Sequence, residues 1–242
     1  MKIAVLTGAV MAAAGNLQQF GLLTASIGNS SFITAIYIVL VPFLSALFLH
    51  RKIKRNHLLA ALLSLIGLFL ITTAGKGLER INIGDIITLI SSFAWAVQIL
   101  CVDRGVSICD PVSFTAAEFL TAGILQLIIW LIFGHGDTAG LERSWPYAAA
   151  SGILVLGIGF FMQSYGQKNT GETEASIIMG LESVFGALFG ILFYHEQFAP
   201  VQIIGMVLIF SAVLLVVLKS EENAGQRSVR PEFDAETNKL CE

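Results

Sequence analysis

The sequence predicts an all-α polytopic membrane protein, and three observations carry that expectation. Eight apolar runs of 17 to 22 residues recur along the chain. A helix of that length crosses a hydrocarbon core about 30 Å thick. Charged residues make up only 13% of the 242, against roughly 25% in soluble domains. Mean hydropathy is +0.79. The runs lack both the charged face of a soluble bundle helix and the period-two alternation of a barrel strand, which argues against either alternative.

In chain order, the first span is expected at 3–24. Its second half is rich in amides, with Asn16, Gln18 and Gln19. Hydrocarbon cannot satisfy their donors, so they either line a polar interior or tie helices together. Residues 25–31 read as a tight uncharged turn before a second span at 32–49. Pro42 lies inside that span and predicts a kink, because proline lacks the backbone donor and crowds the preceding turn. Tyr37 precedes it by five residues. Spans at 58–74, 83–102 and 113–133 follow. Asp85 sits where it would favour the start of the fourth helix. Trp95 and Gln98 share that helix, and Glu118 lies about 7–8 Å inside the fifth, either at the headgroups or facing a cavity. A long loop, 134–146, leads to the sixth span at 147–164, with Trp145 and Tyr147 suited to the membrane interface. The last two spans are 175–193 and 201–218. The remainder, 219–242, reads as a polar cytoplasmic tail.

Orientation follows from the basic residues. Arg51, Lys52, Lys54 and Arg55 crowd one short loop, which belongs on the cytoplasmic side. With the tail beyond Lys219 left out, eight Lys or Arg residues then lie inside and three outside. Both termini are expected in the cytoplasm of a multi-pass plasma-membrane protein.

The second span, FITAIYIVLVPFLSALFL, is echoed by the seventh, ASIIMGLESVFGALFGILF. Pro42 aligns with Ser183 at a shift of 141, and Ala60 with Gly205 at 145. Two helices precede the last three, and none precede the first three. The pattern is that of two five-helix units with the first two helices lacking, and duplicated units enclosing a site are a transporter signature.

Residues 17–49, 84–100 and 175–216 resemble the drug/metabolite transporter superfamily, specifically its EamA-type members. The resemblance covers about residues 3–218 and implies an incomplete EamA-type inverted repeat of eight helices. Its parts would be a partial first repeat of three helices at 1–76 and a complete second repeat of five helices at 83–218. The family's Glu-Pro pair becomes Glu182-Ser183, and its Leu-Gly-Glu becomes Tyr194-His195-Glu196. With the proline absent, the seventh span is expected to be straighter than in the family. Members are similar in moving small metabolites, amino acids or drugs.

Glu182 is the sharpest single feature. An acid in the middle of an apolar run costs about 2.5–3.5 kcal/mol or more unless it faces a polar interior. It would contact a solute or take up a coupling proton. Its structural alternative is a hydrogen bond to Gln98, Gln126 or Gln163. The candidate binding residues are Glu182, Gln98, Tyr37, Trp95, Gln18, Gln19 and Glu118, with simple aromatic packing as the alternative for Tyr37 and Trp95. The expected function is secondary transport of a small organic solute by alternating access. The alternative is a truncated, non-transporting membrane protein or scaffold. Expected partners are the solute, the lipid bilayer, a coupling proton and a second copy of the chain in a homodimer. Nucleic acid is not expected, because no basic patch exists to bind it. Enzymatic chemistry, a cofactor and a metal are not expected either. His50, His57, His135 and His195 form no compact ligand pattern, and no nucleophile–base constellation is apparent.

Overall fold

A computed structural model of the chain describes residues 2–133, 138–195 and 197–224. Eleven α-helices occur among the described residues: α1 (Lys2–Leu22), α2 (Ile27–Thr34), α3 (Tyr37–Phe48), α4 (Arg55–Thr73), α5 (Ile83–Val106), α6 (Pro111–Phe133), α7 (Thr138–Ser151), α8 (Phe160–Asn169), α9 (Glu172–Met179), α10 (Leu181–Tyr194) and α11 (Pro200–Ala224). A π-helical stretch, Gly152–Gly159, joins α7 to α8. Grouped into continuous rods, they form eight helices long and apolar enough to cross a membrane.

Burial is inverted relative to a soluble protein. Leu23, Leu131, Leu192 and Phe193 point outward. Thr88, Ser91, Ser92, Gln98, Gln167 and Ser176 are buried. Water would penalise that arrangement, whereas lipid favours it, since polar groups must find partners inside the protein.

Helix starts follow local chemistry. Ser26 caps α2 by accepting from the Asn29 N–H at 3.2 Å, so the helix begins five residues before the expected 32. Asp110 accepts from the N–H groups of Val112 and Ser113, both at 3.1 Å, and Pro111 opens α6. Asn82 accepts from Gly84 N–H at 2.7 Å, and Asp85 reaches back to Asn82 N–H at 2.8 Å. This is a reciprocal capping box, as the position of Asp85 suggested. Asp85 also accepts from Asn29 Nδ2 at 3.4 Å, and Asn29 exchanges two bonds with the Glu79 backbone. Asp85→Ala is expected to lower stability by roughly 1–2 kcal/mol, because it removes the cap and a buried partner of Asn29 together. Thermal unfolding of the purified protein, with exposed Glu79→Ala as the comparison, checks this.

The chain forms two compact units. Among the described residues, one contains 2–12 and Cys101–Gly171, and the other contains Ala13–Leu100 and 172–224. In the first, Ala4, Val102, Val106 and Phe114 form an apolar cluster. In the second, α4 and α11 make the most extensive helix contact among the described residues. They cross at Gly67 and Gly205. A Cβ on Gly67 would meet Gly205 O at 2.6 Å and Ile209 Cγ1 at 2.8 Å, and one on Gly205 would meet Gly67 O and Ile71 Cγ1. Small residues let the backbones approach this closely. Gln202 Nε2 donates to Ile71 O at 2.8 Å, satisfying a carbonyl in the last turn of α4.

The loops are shorter than the sequence suggested. α9 begins at Glu172, so Thr170 and Gly171 alone separate it from α8. Helix α7 occupies part of the expected 134–146 loop, and α11 continues to Ala224, past the expected boundary at 218. Glu196 and the tail from 225 lie outside the described residues.

Candidate functional site

Two spans of the second unit are interrupted, and the interruptions position the site. In the second span α2 stops at Thr34 and α3 starts at Tyr37. Ile36 N–H bonds Ile33 O at 3.2 Å and Ile38 N–H bonds Ala35 O at 3.0 Å, a 3₁₀ pattern in place of the α pattern. This takes the Thr34 carbonyl off its usual acceptor duty, and Ser92 Oγ donates to it at 2.8 Å. The break lies at Ala35–Ile36, and Pro42 itself sits inside α3.

The seventh span was expected to be straighter than its relatives, and instead it breaks at Gly180. Gly180 N–H bonds Ile177 O at 3.1 Å, and Ser183 N–H bonds Gly180 O at 3.3 Å. Glycine is a poor helix former. A Cβ here would meet Ile177 O at 3.0 Å and Ile38 Cδ1 at 3.2 Å, so the position is tightly packed as well. A break without proline escapes a reading that looks for proline.

Tyr37 and Glu182 therefore stand in the first turns of the two downstream half-helices. Tyr37 is buried and Glu182 is exposed at the protein surface. Because the rod begins at Glu172, Glu182 lies ten residues along it, about 15 Å and close to mid-span. A start at 175, the expected boundary of this span, would place it only about 10–11 Å along.

Beside the first break, Trp95 Nε1 donates to Gln18 Oε1 at 3.2 Å, and Gln18 Nε2 donates to Thr34 Oγ1 at 3.2 Å. This relay joins α5, α1 and the end of α2. Ser91 Oγ adds a bond to Ala14 O at 2.8 Å. Gln98 is buried on α5, whereas Gln19 is exposed. Glu118 belongs to the other unit, where it is fully buried, so a solvated interfacial acid does not describe it.

Sequence reasoning missed a second polar cluster, at the start of α9. Glu172 accepts from Ser45 Oγ and pairs with Arg51, and His57 Nε2 lies 3.5 Å from Glu174 Oε1. Both carboxylates are buried, in the first helical turn, where the helix dipole favours negative charge. The signal was present as two acids directly before an apolar run, a helix-start pattern, in a chain with one strongly basic loop.

No group of three or more His, Cys, Asp or Glu residues that could hold a metal occurs among the described residues. The arrangement is that of a membrane protein with polar and charged side chains gathered at breaks in its spanning helices. Residues 82–218 match the EamA-like transporter family, and the chain belongs to that family. An uncharacterized transporter of Archaeoglobus fulgidus is 26% identical over 205 residues, covering 84% of this chain and 64% of that protein. Another from Methanothermobacter thermautotrophicus is 22% identical, covering 78% and 56%. The chain thus spans less than two thirds of the length of these curated relatives. A solved crystal structure superposes with a TM-score of 0.75 at 17% identity, over 90% of this chain and 77% of the other. At that identity the likeness concerns the fold alone.

Proposed function

We propose that this protein is a secondary transporter of a small organic solute, working by alternating access. The observation that carries this is the pair of interrupted spans that bring Tyr37 and Glu182 to the starts of α3 and α10. Broken helices present partial charges and side chains at mid-membrane, where transporters bind solute. Glu182 contacts the solute or a coupling proton. Tyr37 stands at the matching helix start, and Gln18 and Trp95 form a fixed polar and aromatic wall, with Gln98 buried on the helix of Trp95. Gln19 and Glu118 are secondary candidates.

The two hairpins are copies related by inversion. One shift of 145 residues, in place of the 141 that set Pro42 on Ser183, takes Tyr37 to Glu182, Pro42 to Ala187, His50 to His195 and Arg55 to Pro200. His50 and His195 both adopt left-handed backbone, with φ of 53° and 54°, where α3 and α10 end. Such a conformation is uncommon outside glycine, so its recurrence at matched positions supports common origin. The repeats are 1–76 and 83–218, followed by a cytoplasmic tail. With both termini cytoplasmic, the 50–57 loop faces the cytoplasm of a plasma-membrane protein. A homodimer would add wall to the pathway.

Flux of a panel of labelled amino acids and organic amines into proteoliposomes tests the reading, with saturable uptake by the parent chain as the expected result. No flux for any solute class, in protein shown to be folded, favours the alternative of a non-transporting scaffold. For topology, a cysteine at position 53 should react with an impermeant thiol reagent only from the cytoplasmic side. Labelling from outside would reverse the orientation.

A further inference from the structure

The polar cluster at the start of α9 is not used by the solute site, and its geometry joins three elements. Ser45 lies in the last turn of α3, Arg51 in the loop that follows, and His57 in the first turn of α4. All three reach Glu172 or Glu174 on α9. The loop is shaped for this contact: His50 takes left-handed backbone, and Arg51 N–H returns to Ser45 O at 3.4 Å. Helix α9 is only eight residues long, and the Gly180 break separates it from α10. It is buried over most of its length, with Ser176 and Ile177 fully enclosed. Phe185 and Phe189 on α10 are each 56% exposed. A short half-helix, anchored by charge at one end and broken at the other, can move without unfolding the span around it.

We propose that Glu172 with Arg51 and Ser45, and Glu174 with His57, form a latch that holds α9 against α3 and α4 and closes that mouth of the pathway. The word pathway rests on the transport reading above, while the latch itself is a statement about α9. Two buried carboxylates are stable there only while their partners remain. Removing a partner leaves a charge in a poor environment, and the open arrangement, in which water reaches it, gains population. The latch therefore opens by exchanging protein partners for water, and a solute at Glu182 would bias it from the other side of the Gly180 break, at the start of α10.

The test follows reaction of a cysteine at position 176 with a hydrophilic maleimide. The chain carries Ser176→Cys together with Cys101→Ala, Cys109→Ala and Cys241→Ala. In the otherwise unaltered latch this thiol should react slowly. Arg51→Ala should raise the rate about tenfold. Arg51→Glu should do at least as much, and the exchange Arg51→Glu with Glu172→Arg should return it toward the parent. Ser45→Ala, which removes one bond and no charge, serves if the charge variants fail to fold, with an expected rise of about two- to threefold. Unchanged rates across folded variants, or an exchange that restores nothing, overturn the latch. Flux measured on the same samples separates the two readings. Responsive labelling in a chain that carries no solute sustains the latch and sinks transport, whereas flux with unresponsive labelling does the reverse.

Discussion

Glu182→Gln is expected to cut solute flux by about ten- to a hundredfold while leaving the folded yield unchanged. Hydrogen bonds to a charged group contribute about 1.5–3 kcal/mol, and each 1.4 kcal/mol is a factor of ten. The amide keeps the shape and loses the charge, so a solute held by that charge is released. Folding should survive, because Glu182 is exposed at the surface of the protein and anchors no core. Tyr37→Phe should have a smaller effect on flux. It removes a hydroxyl at the matching helix start while keeping a buried ring in place. The measurement is initial uptake in proteoliposomes, normalised to folded protein. Flux and pH profile equal to those of an active parent would reduce Glu182 to a packing position.

The largest effect on stability is expected at the α4–α11 crossing. Gly205→Leu should prevent folding or lower the apparent unfolding temperature severely. The new side chain would be driven into Gly67 O and Ile71 Cγ1. A carbonyl of a helix backbone cannot rotate away, so the helices must separate and the crossing is lost along its length. Overpacking typically costs 1–3 kcal/mol and more where backbone must move. Gly186→Leu is the control, since nothing lies within 4 Å of a Cβ at that position. It should be tolerated. Size-exclusion profiles and thermal unfolding of both variants in the same detergent check this. Equal stability of the two would show that close approach at Gly205 is dispensable.

Spans were legible in the sequence because hydrocarbon imposes one requirement, a stretch of apolar helix about 20 residues long. All eight expected spans correspond to long apolar helices among the described residues. The cap at Asp85 was legible for a similar reason: its partners at Asn82 are three residues away. Glu182 stood out because a carboxylate in an apolar run is costly wherever the helix packs.

Other features depended on partners distant in sequence, and only the tertiary structure decided them. The span breaks at Gly180 with no proline to announce it, and a Cβ there would meet Ile38 Cδ1, 142 residues earlier in the chain, at 3.2 Å. Thr34 gives up its carbonyl to Ser92, 58 residues away. Glu172 and Glu174 read as loop acids until Ser45, Arg51 and His57 arrived beside them from the first hairpin. Sequence alone pointed to a membrane protein, to eight helices long and apolar enough to cross a bilayer, which recur among the described residues, and to Glu182 as an acid within an apolar run. The bilayer sets those properties one segment at a time. Tertiary structure decided where the helices break and which charges pair, because a broken helix or a buried carboxylate is stable only when another segment supplies the missing bond.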